Sequence, residues 1–254
     1  MSRHVVAAIQ ARLGSTRLPG KVLLPILGEP MIGRIIERVR TARRVAEVVI
    51  TTSDQASDDR LAQYANAQGI PCSRGPLDDL VERLWRAAAL TQADVLVRVW
   101  GDCPCVDPEI IDRAVARLSA EDLDFCHTST LTERTCPYGL DIEVYHRRLL
   151  NELRTATTDP FFREFPAEYV QKHHERLRTA LICCDQPLSH LYVTVDYPED
   201  LEAVRQIYAR IYDSDKPFGY RDLARLLAAE PALGVGLGQL SRNIEYHQKR
   251  EARQ

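Results

Sequence analysis

Residues 5–21 read VVAAIQARLGSTRLPGK, a short apolar run followed by a polar segment. The β-branched run at 5–9 predicts a buried strand, and the glycines and proline of residues 10–21 (loop 10–21 below) predict a loop. Over residues 31–41, apolar side chains recur at helical spacing. The stretch therefore predicts a strand–loop–helix unit.

The same unit recurs along the first half of the chain. Residues 45–51, 70–74 and 94–100 predict strands, and residues 108–118 predict a helix that Pro108 opens. Two further helices are predicted at about 54–68, capped by Ser53 or Asp54, and at 78–90. This alternation predicts a three-layer α/β fold, with a mostly parallel sheet and helices on both faces.

Ligands of such sheets bind beyond the carboxyl ends of the strands. Gln10, Ser53 and Asp102 each fall at the end of a predicted strand, so we expect them to share one crevice. After residue 118 the alternation is weaker. Strands are predicted there at 139–145 and 191–195, and helices at 161–175 and 198–212.

Composition and charge exclude several classes of protein. With 254 residues, 45% hydrophobic and 27% charged, the chain is typical of globular proteins. Its net charge of -3 gives no basic surplus for general nucleic-acid binding. No apolar run reaches the roughly 18–20 residues that span a bilayer, and the run at 5–9 is shorter than a signal-peptide core. We expect a cytoplasmic protein that binds no membrane.

The chain contains seven cysteines. An odd number without an export signal predicts reduced thiols rather than a disulfide framework. The close pairs Cys103/Cys105 and Cys183/Cys184 lack the two-residue gap of a zinc knuckle. We therefore expect plain buried thiols.

Loop 10–21 carries groups suited to a triphosphate. Guanidinium groups grip phosphate oxygens in pairs, lysine supplies a mobile charge, and glycines let backbone N–H groups approach. The loop's cations, hydroxyls and glycines are Arg12, Arg17, Lys21, Ser15, Thr16, Gly14 and Gly20. A solvated basic turn is the alternative interpretation, and the position after the first strand favours a phosphate site.

The loop does not match the Walker P-loop. Five residues separate Gly14 from the pair Gly20-Lys21, where the Walker motif has four. Val22 follows the lysine, where that motif has Ser or Thr. The three spaced glycines of the dinucleotide-binding fingerprint are absent as well.

The loop resembles the signature of sugar-acid cytidylyltransferases, and most of all the branch named after spore-coat polysaccharide biosynthesis protein F. Five further blocks continue the resemblance in order: 28–32 (GEPMI), 73–88 (SRGPLDDLVERLWRAA), 98–112 (RVWGDCPCVDPEIID), 139–144 (GLDIEV) and 195–202 (VDYPEDLE). The resemblance implies a nucleotide-diphospho-sugar transferase-like fold. It also implies a Mg²⁺-dependent homodimer that couples CTP to a nonulosonate-like sugar acid, releases pyrophosphate, and serves cell-surface or spore-coat polysaccharide synthesis.

On this basis we expect one domain over residues 1–233 and a tail over 234–254. The nucleotide half would cover about 1–120. The acceptor and dimerisation part would cover about 121–190, with a β-hairpin and helix insertion.

The resemblance also assigns roles to individual residues. Arg12, Lys21 and Asp102 would be catalytic. Contacts to the nucleotide would come from Gln10, Ala11, Arg12, Gly14, Ser15, Arg17, Lys21, Arg74, Gly75 and Asp102.

Two carboxylates are candidate metal ligands. Asp102 and Asp196 each directly follow a predicted strand, where an acid can hold a hard cation against phosphate oxygens. The resemblance implies that both bind Mg²⁺. The alternatives are a turn residue for Asp102 and a helix N-cap for Asp196.

The acceptor side is predicted from three residues. Asp141 and Glu143 share one face of a strand, which fits sugar-hydroxyl recognition or proton abstraction, although an exposed acidic strand is an equal alternative. Arg163 could meet a substrate carboxylate or be an exposed helix residue. The chain departs from the branch at Tyr138 and Phe165, so the acceptor stays open.

Two other functions fit parts of the sequence. A glycosyltransferase that uses a nucleotide sugar would be expected to carry Asp-x-Asp after a strand, whereas residues 101–104 (GDCP) contain a single acid. A non-catalytic nucleotide-binding protein would have lost part of the site. The joint presence of Arg12, Lys21, Asp102 and Asp196 favours the enzyme.

Overall fold

The computed structural model describes residues 3–129, 133–234 and 248–250. Within these ranges, one seven-stranded sheet has the order β5-β4-β1-β6-β8-β7-β9, and β2 pairs with β3 separately. The strands are β1 (Val5–Gln10), β2 (Pro25–Ile26), β3 (Glu29–Pro30), β4 (Glu47–Ser53), β5 (Cys72–Gly75), β6 (Val95–Trp100), β7 (Phe125–His127), β8 (Ile142–His146) and β9 (Thr179–Leu181).

One strand of this seven-stranded sheet, β8, runs against the other six. From β5 through β4 and β1 to β6, neighbouring strands run parallel. β8 then runs antiparallel to β6, β7 antiparallel to β8, and β9 parallel to β7. The predicted parallel sheet is confirmed for the first half of the chain.

Helices cover both faces of the sheet. They are α1 (Met31–Arg40), α2 (Asp59–Ala67), α3 (Leu80–Leu90), α4 (Pro108–Ala120), α5 (Arg147–Ala156), α6 (Pro160–Glu164), α7 (Pro166–Lys172), α8 (Pro198–Ile211) and α9 (Tyr220–Ala229).

Two hydrophobic cores lie on opposite faces because side chains alternate along each strand. In β1, Ala7 and Ile9 pack into the core with α1, α2, α4, α8 and α9. Val6 and Ala8 of the same strand pack into the core with α3 and α5–α7. This arrangement confirms the predicted three-layer α/β fold.

Several local predictions were wrong. Residues 191–195 form no strand, and only Tyr192 makes a bridge, with Tyr138. The single helix predicted over 161–175 is divided into α6 and α7 at Pro166, which has no N–H to continue the helical ladder. Ser53 ends β4 and caps no helix, since α2 begins at Asp59 after a 3₁₀ turn.

The cysteine prediction also needs correction. Cys136 and Cys184 form a disulfide with their Cα atoms 5.1 Å apart, and Cys183 is exposed. Backbone N–H groups of Cys184 and Leu188 donate to Thr135, which joins the two segments. Their 48-residue separation in sequence hides this proximity. In the described part of the chain, no helix is long and apolar enough to cross a bilayer.

Candidate active site

A cleft of about 550 Å³ opens beyond the carboxyl ends of β1 and β6. Gln10 and Asp102 line it, as predicted, but Ser53 does not, because its hydroxyl donates to Asp58 inside the protein. Most of loop 10–21 lines the cleft as well. The residues that line it include Gln10, Ala11, Arg12, Ser15, Arg17, Lys21, Leu80, Arg83, Arg98, Trp100, Asp102, Phe165, Asp196 and Gln248.

Loop 10–21 is anchored at both ends. At its start, the N–H of Leu13 donates to Oδ1 of Asp58 at 2.7 Å. At its end, the N–H of Gly20 donates to the carbonyl of Leu13 at 3.0 Å. Gly20 has a φ of +69°, a left-handed conformation that favours glycine, and it turns the chain into the 3₁₀ turn that begins at Lys21. This turn directs the lysine into the cleft.

Lys21 lies between the two candidate metal ligands. Its Nζ is 3.1 Å from Oδ2 of Asp102, 3.1 Å from Oδ1 of Asp196 and 2.6 Å from the carbonyl oxygen of Val195. Burial opposes the charge on this lysine, which is only 7% exposed, but the two carboxylates outweigh burial and raise its pKa. Burial likewise opposes ionisation of Asp102, but Lys21 outweighs it and lowers the pKa of that carboxyl.

Asp196 is held by a second cation. Nη2 of Arg17 is 2.7 Å from its Oδ1, and the Arg17 guanidinium lies 5.1 Å from the centre of the Tyr197 ring. Asp196 does not cap α8. Oδ2 of Asp200 accepts the N–H groups of Asp196 and Tyr197 instead, which fixes the carboxylate of Asp196 toward the cleft.

The donor set suits a cation that also binds a substrate. The Lys21 ammonium shows that a positive centre fits between Asp102 and Asp196. In the ranges that the structure describes, no group of three or more His, Cys, Asp or Glu side chains could hold a metal alone. Mg²⁺ commonly takes one or two carboxylates and completes its shell with water and phosphate oxygens. The two acids therefore fit Mg²⁺ together with a phosphorylated ligand.

A buried polar network forms the wall on the α3 side of the sheet. Nη1 of Arg98 is 2.7 Å from Oε2 of Glu143, and the Tyr145 hydroxyl donates to the same oxygen at 2.5 Å. Arg98 also donates from Nε to Oε1 of Gln10 at 2.8 Å, and its guanidinium lies 4.1 Å from the centre of the Trp100 ring. Glu143 is thus engaged behind the cleft surface.

Asp141 and Arg163 have protein partners outside the main cleft. Asp141 is 2.6 Å from Nη2 of Arg134 and accepts from the Ser129 hydroxyl at 3.0 Å. Arg163 donates from Nε to Oδ2 of Asp79 at 2.9 Å. It lines a neighbouring hollow between α3 and α6. Substrate binding by Asp141, Glu143 and Arg163 stays a prediction.

Arg74 and Gly75 end β5 at the same edge of the sheet, but they do not line the cleft. Arg74 donates from Nε to the carbonyl of Ser53 at 2.9 Å and pairs with Asp59 at 2.8 Å. The carbonyl of Gly75 accepts the N–H of Asp54. Gly14 is also absent from the lining. Nucleotide contacts of these three residues stay predictions.

Besides Arg98, sequence reasoning missed two groups at the cleft. Arg83 lies on the apolar face of α3 between Leu80 and Leu84, and an arginine in such a stripe is the signal that could have found it. The second group is at the far end of the chain, where Gln248 lines the cleft and Lys249 pairs with Glu164 at 2.8 Å. Most of the predicted tail lies outside the described residues.

Comparison with known proteins places this arrangement in a family. A family model described as "Cytidylyltransferase" matches residues 6–240. The chain belongs to the cytidylyltransferase family. This match, together with the individual relatives, confirms the resemblance to sugar-acid cytidylyltransferases.

Individual relatives agree. This cytidylyltransferase is 28% identical over 213 residues to spore coat polysaccharide biosynthesis protein SpsF of Bacillus subtilis (strain 168), covering 81% of this chain and 87% of that protein. It is 38% identical over 119 residues to a 3-deoxy-manno-octulosonate cytidylyltransferase of Geobacter metallireducens, covering 46% of this chain and 45% of that enzyme. A solved structure of a cytidylyltransferase from Leptospira borgpetersenii matches with a TM-score of 0.86 and 29% sequence identity. The match covers 94% of this chain and 100% of the Leptospira chain.

Proposed function

We propose that this cytidylyltransferase couples CTP to a sugar acid and releases pyrophosphate, with Mg²⁺ as its cofactor. The observation that carries the proposal is the position of Lys21 between Asp102 and Asp196 at the end of a cationic loop. That arrangement gathers the charges that nucleotidyl transfer needs in one cleft. Such reactions depend mainly on positioning and electrostatic stabilisation, with little covalent chemistry from the protein.

The cleft residues have different roles in the proposed reaction. The acceptor hydroxyl attacks the α-phosphorus of CTP, and the bond from that phosphorus to the bridging oxygen of pyrophosphate breaks. Arg12, Arg17 and Lys21 offset the charge of the β- and γ-phosphates and then of the leaving pyrophosphate. Asp102 and Asp196 would hold Mg²⁺, which supplies charge stabilisation at the α-phosphoryl oxygens when it is bound.

The nature of the acceptor is supported by the relatives. One of them is named for 3-deoxy-manno-octulosonate and another for spore coat polysaccharide. We therefore propose a nonulosonate-like acid as the acceptor and cell-surface or spore-coat polysaccharide as the product's destination. We also propose that the enzyme acts as a homodimer in the cytoplasm.

A panel of nucleoside triphosphates with Mg²⁺ tests the donor, because a ligand that binds only the native state raises the apparent melting temperature. We expect CTP to give the largest shift. Pyrophosphate release with CTP and a set of sugar acids, including 3-deoxy-manno-octulosonate and N-acetylneuraminate, then tests the reaction. CTP binding without pyrophosphate release from any acid would instead indicate a non-catalytic nucleotide-binding protein, and a panel without preference would contradict the choice of CTP.

A further inference from the structure

Arg83 is a buried cation that its surroundings leave incompletely satisfied. The residue is 4% exposed, yet it lines the cleft from α3. Its Nη2 donates to the carbonyl oxygen of Leu77 at 3.2 Å. Its Nε and Nη1 are buried and have no hydrogen-bond partner among the residues that the structure describes. Buried guanidinium donors in native proteins are normally paired, so these two mark a place for an acceptor.

The charges around Arg83 make an anionic acceptor the matching one. Its neighbour Arg98 already has Glu143 as a counter-ion, and Arg12 adds another positive charge. Burial, followed by repulsion from Arg98 and Arg12, lowers the pKa of Arg83 to about 10, against the weaker opposing effect of Asp58 and Asp79. Three guanidinium groups thus lie near one wall, where Glu143 pairs with Arg98 and the buried carboxylate of Asp58 acts on Arg83 more weakly than the two other arginines do.

We propose that Arg83 binds an oxyanion of a substrate at the α3 side of the cleft. The proposal rests on the proposed function, because it assigns part of a substrate to the same cleft. Arginine can donate in parallel to two oxygens of one carboxylate or phosphate from Nε with Nη2 or from Nη1 with Nη2, and each of these edges of Arg83 includes one of its two unpartnered nitrogens. Two sources offer this chemistry: the carboxylate of a sugar acid and the phosphates of the nucleotide.

The rest of the wall supports a substrate site rather than a solvent channel. Leu80, Trp100 and Phe165 line the cleft with Arg83, so part of the surface around an anion bound there is apolar. Water competes poorly for a charged hydrogen bond in such surroundings. At the other side of the cleft, Arg17 and Lys21 already pair with Asp102 and Asp196. Arg83 is therefore placed to add binding without disturbing that group.

A purely structural role makes the opposite prediction for stability. If Arg83 serves only to hold the carbonyl of Leu77, its loss should destabilise the protein. If Arg83 serves instead to bind an anion, a neutral side chain of similar length should leave the ligand-free protein at least as stable as wild type. Replacing a poorly compensated buried charge by an apolar residue is often neutral or stabilising.

The test compares the full-length wild type with Arg83→Met and Arg83→Lys, and with Arg60→Met as a matched control on the exposed side of α2. Melting temperatures are measured without ligand and then with CTP, inorganic pyrophosphate, 3-deoxy-manno-octulosonate and N-acetylneuraminate. We expect Arg83→Met to melt at or above the wild-type temperature and to bind one class of anion at least tenfold more weakly. Arg83→Lys should recover part of that affinity.

The pattern of losses identifies the source of the oxyanion. Loss confined to the sugar acids assigns Arg83 to the acceptor carboxylate, and loss confined to CTP and pyrophosphate assigns it to the phosphates. Equal ligand-induced shifts in wild type and Arg83→Met for every probe, including no shift in either, overturn the proposal. A lower melting temperature of Arg83→Met with unchanged shifts also overturns it. Pyrophosphate release by the wild type is recorded separately, so failure of the proposed reaction is distinguishable from failure at Arg83.

Discussion

Lys21 and Asp102 hold each other in their charged forms across 3.1 Å, and the same ammonium group reaches Asp196. Each partner shifts the pKa of the other toward the ionised state despite burial. A metal ion that binds the two carboxylates must compete with this lysine. In the proposed reaction, the phosphates of the nucleotide would resolve the competition by offering Lys21 a new partner.

Removing the lysine should therefore strengthen metal binding to the protein without nucleotide. In Lys21→Met, Asp102 and Asp196 face each other with Arg17 as their remaining nearby cation. We expect Mg²⁺ alone to raise the melting temperature of this variant more than that of wild type, while pyrophosphate release falls by about two orders of magnitude. Arg60→Met serves as control. A smaller Mg²⁺-induced shift in Lys21→Met would contradict the competition.

Asp102 should be required for turnover rather than for folding. Asp102→Asn keeps the shape of the side chain but loses the charge that attracts Lys21 and a metal. We expect pyrophosphate release to fall by about 100-fold or more. Circular dichroism should show an intact fold. Asp213→Asn, at an exposed position after α8, should retain activity. Near-normal turnover of Asp102→Asn would remove this residue from the reaction.

The Arg98–Glu143 pair should be a stability element. The side chains of Arg98 and Glu143 are 10% and 9% exposed. Removing one of them therefore leaves an uncompensated buried charge. We expect Arg98→Met to lower the free energy of unfolding by about 3–5 kcal/mol, as urea denaturation would measure it. Arg210→Met breaks an exposed pair with Glu230 and should cost less than about 1 kcal/mol. The double variant Arg98→Met/Glu143→Gln should recover part of the loss, and its failure to do so would argue against charge as the cause.

A side chain at Gly101 should lower both the stability and the turnover of the protein. A Cβ there would lie 2.8 Å from Cβ of Ala11 and 2.9 Å from the carbonyl oxygen of Gln10. We expect Gly101→Ala to cost about 1–3 kcal/mol of stability and to reduce turnover at least tenfold, because the ends of β1 and β6 must separate and displace Asp102. Gly69→Ala has open space at a φ of +64°, so backbone strain should cost it about 1 kcal/mol while turnover stays unchanged. Equal turnover in the two variants would show that the contact is relieved elsewhere.

The thiols should differ sharply in reactivity. Burial raises the pKa of Cys105 to about 12, and burial also raises the pKa of Cys103 well above its usual value. Thiolate is the reactive form, so iodoacetamide at pH 8 should label exposed Cys183 first and these two only after unfolding. Mass spectrometry without reductant should find Cys136 and Cys184 unlabelled even in denaturant. Labelling of either would show that the disulfide is absent in solution.

The parts of the fold that periodicity predicts are those whose signal is local. Apolar runs and helical spacing place β1, α1, β4 and β6 to within a few residues. β7 and β9 have three residues each, too few for a pattern, and they exist because they pair with β8 and with each other. The existence of β7 and β9 thus depends on pairing between segments that are far apart in sequence. A local pattern in one sequence does not reveal such pairing.

The candidate site likewise has residues that the order of elements predicts and residues that only tertiary packing places there. Asp102 closely follows β6, and Lys21 ends the loop that follows β1, so their approach can be expected from the order of elements. The contact between Arg98 and Glu143 follows from the antiparallel register of β6 and β8, which no local pattern contains. Arg83 belongs to the cleft because α3 packs against the sheet. Tertiary packing, rather than the residue type, gives this arginine its place.

The reversal of direction between β6 and β8 would separate the two proposed substrate sites along the chain. Loop 10–21 and the turn at Asp102 follow strands, whereas the segment with Tyr138 precedes β8 and reaches the same edge from the opposite direction. The proposed acceptor side can therefore change in length and composition without interrupting any strand–loop–helix unit of the proposed triphosphate site. If the proposed function holds, an enzyme with this architecture can change its acceptor in evolution while it keeps its nucleotide chemistry.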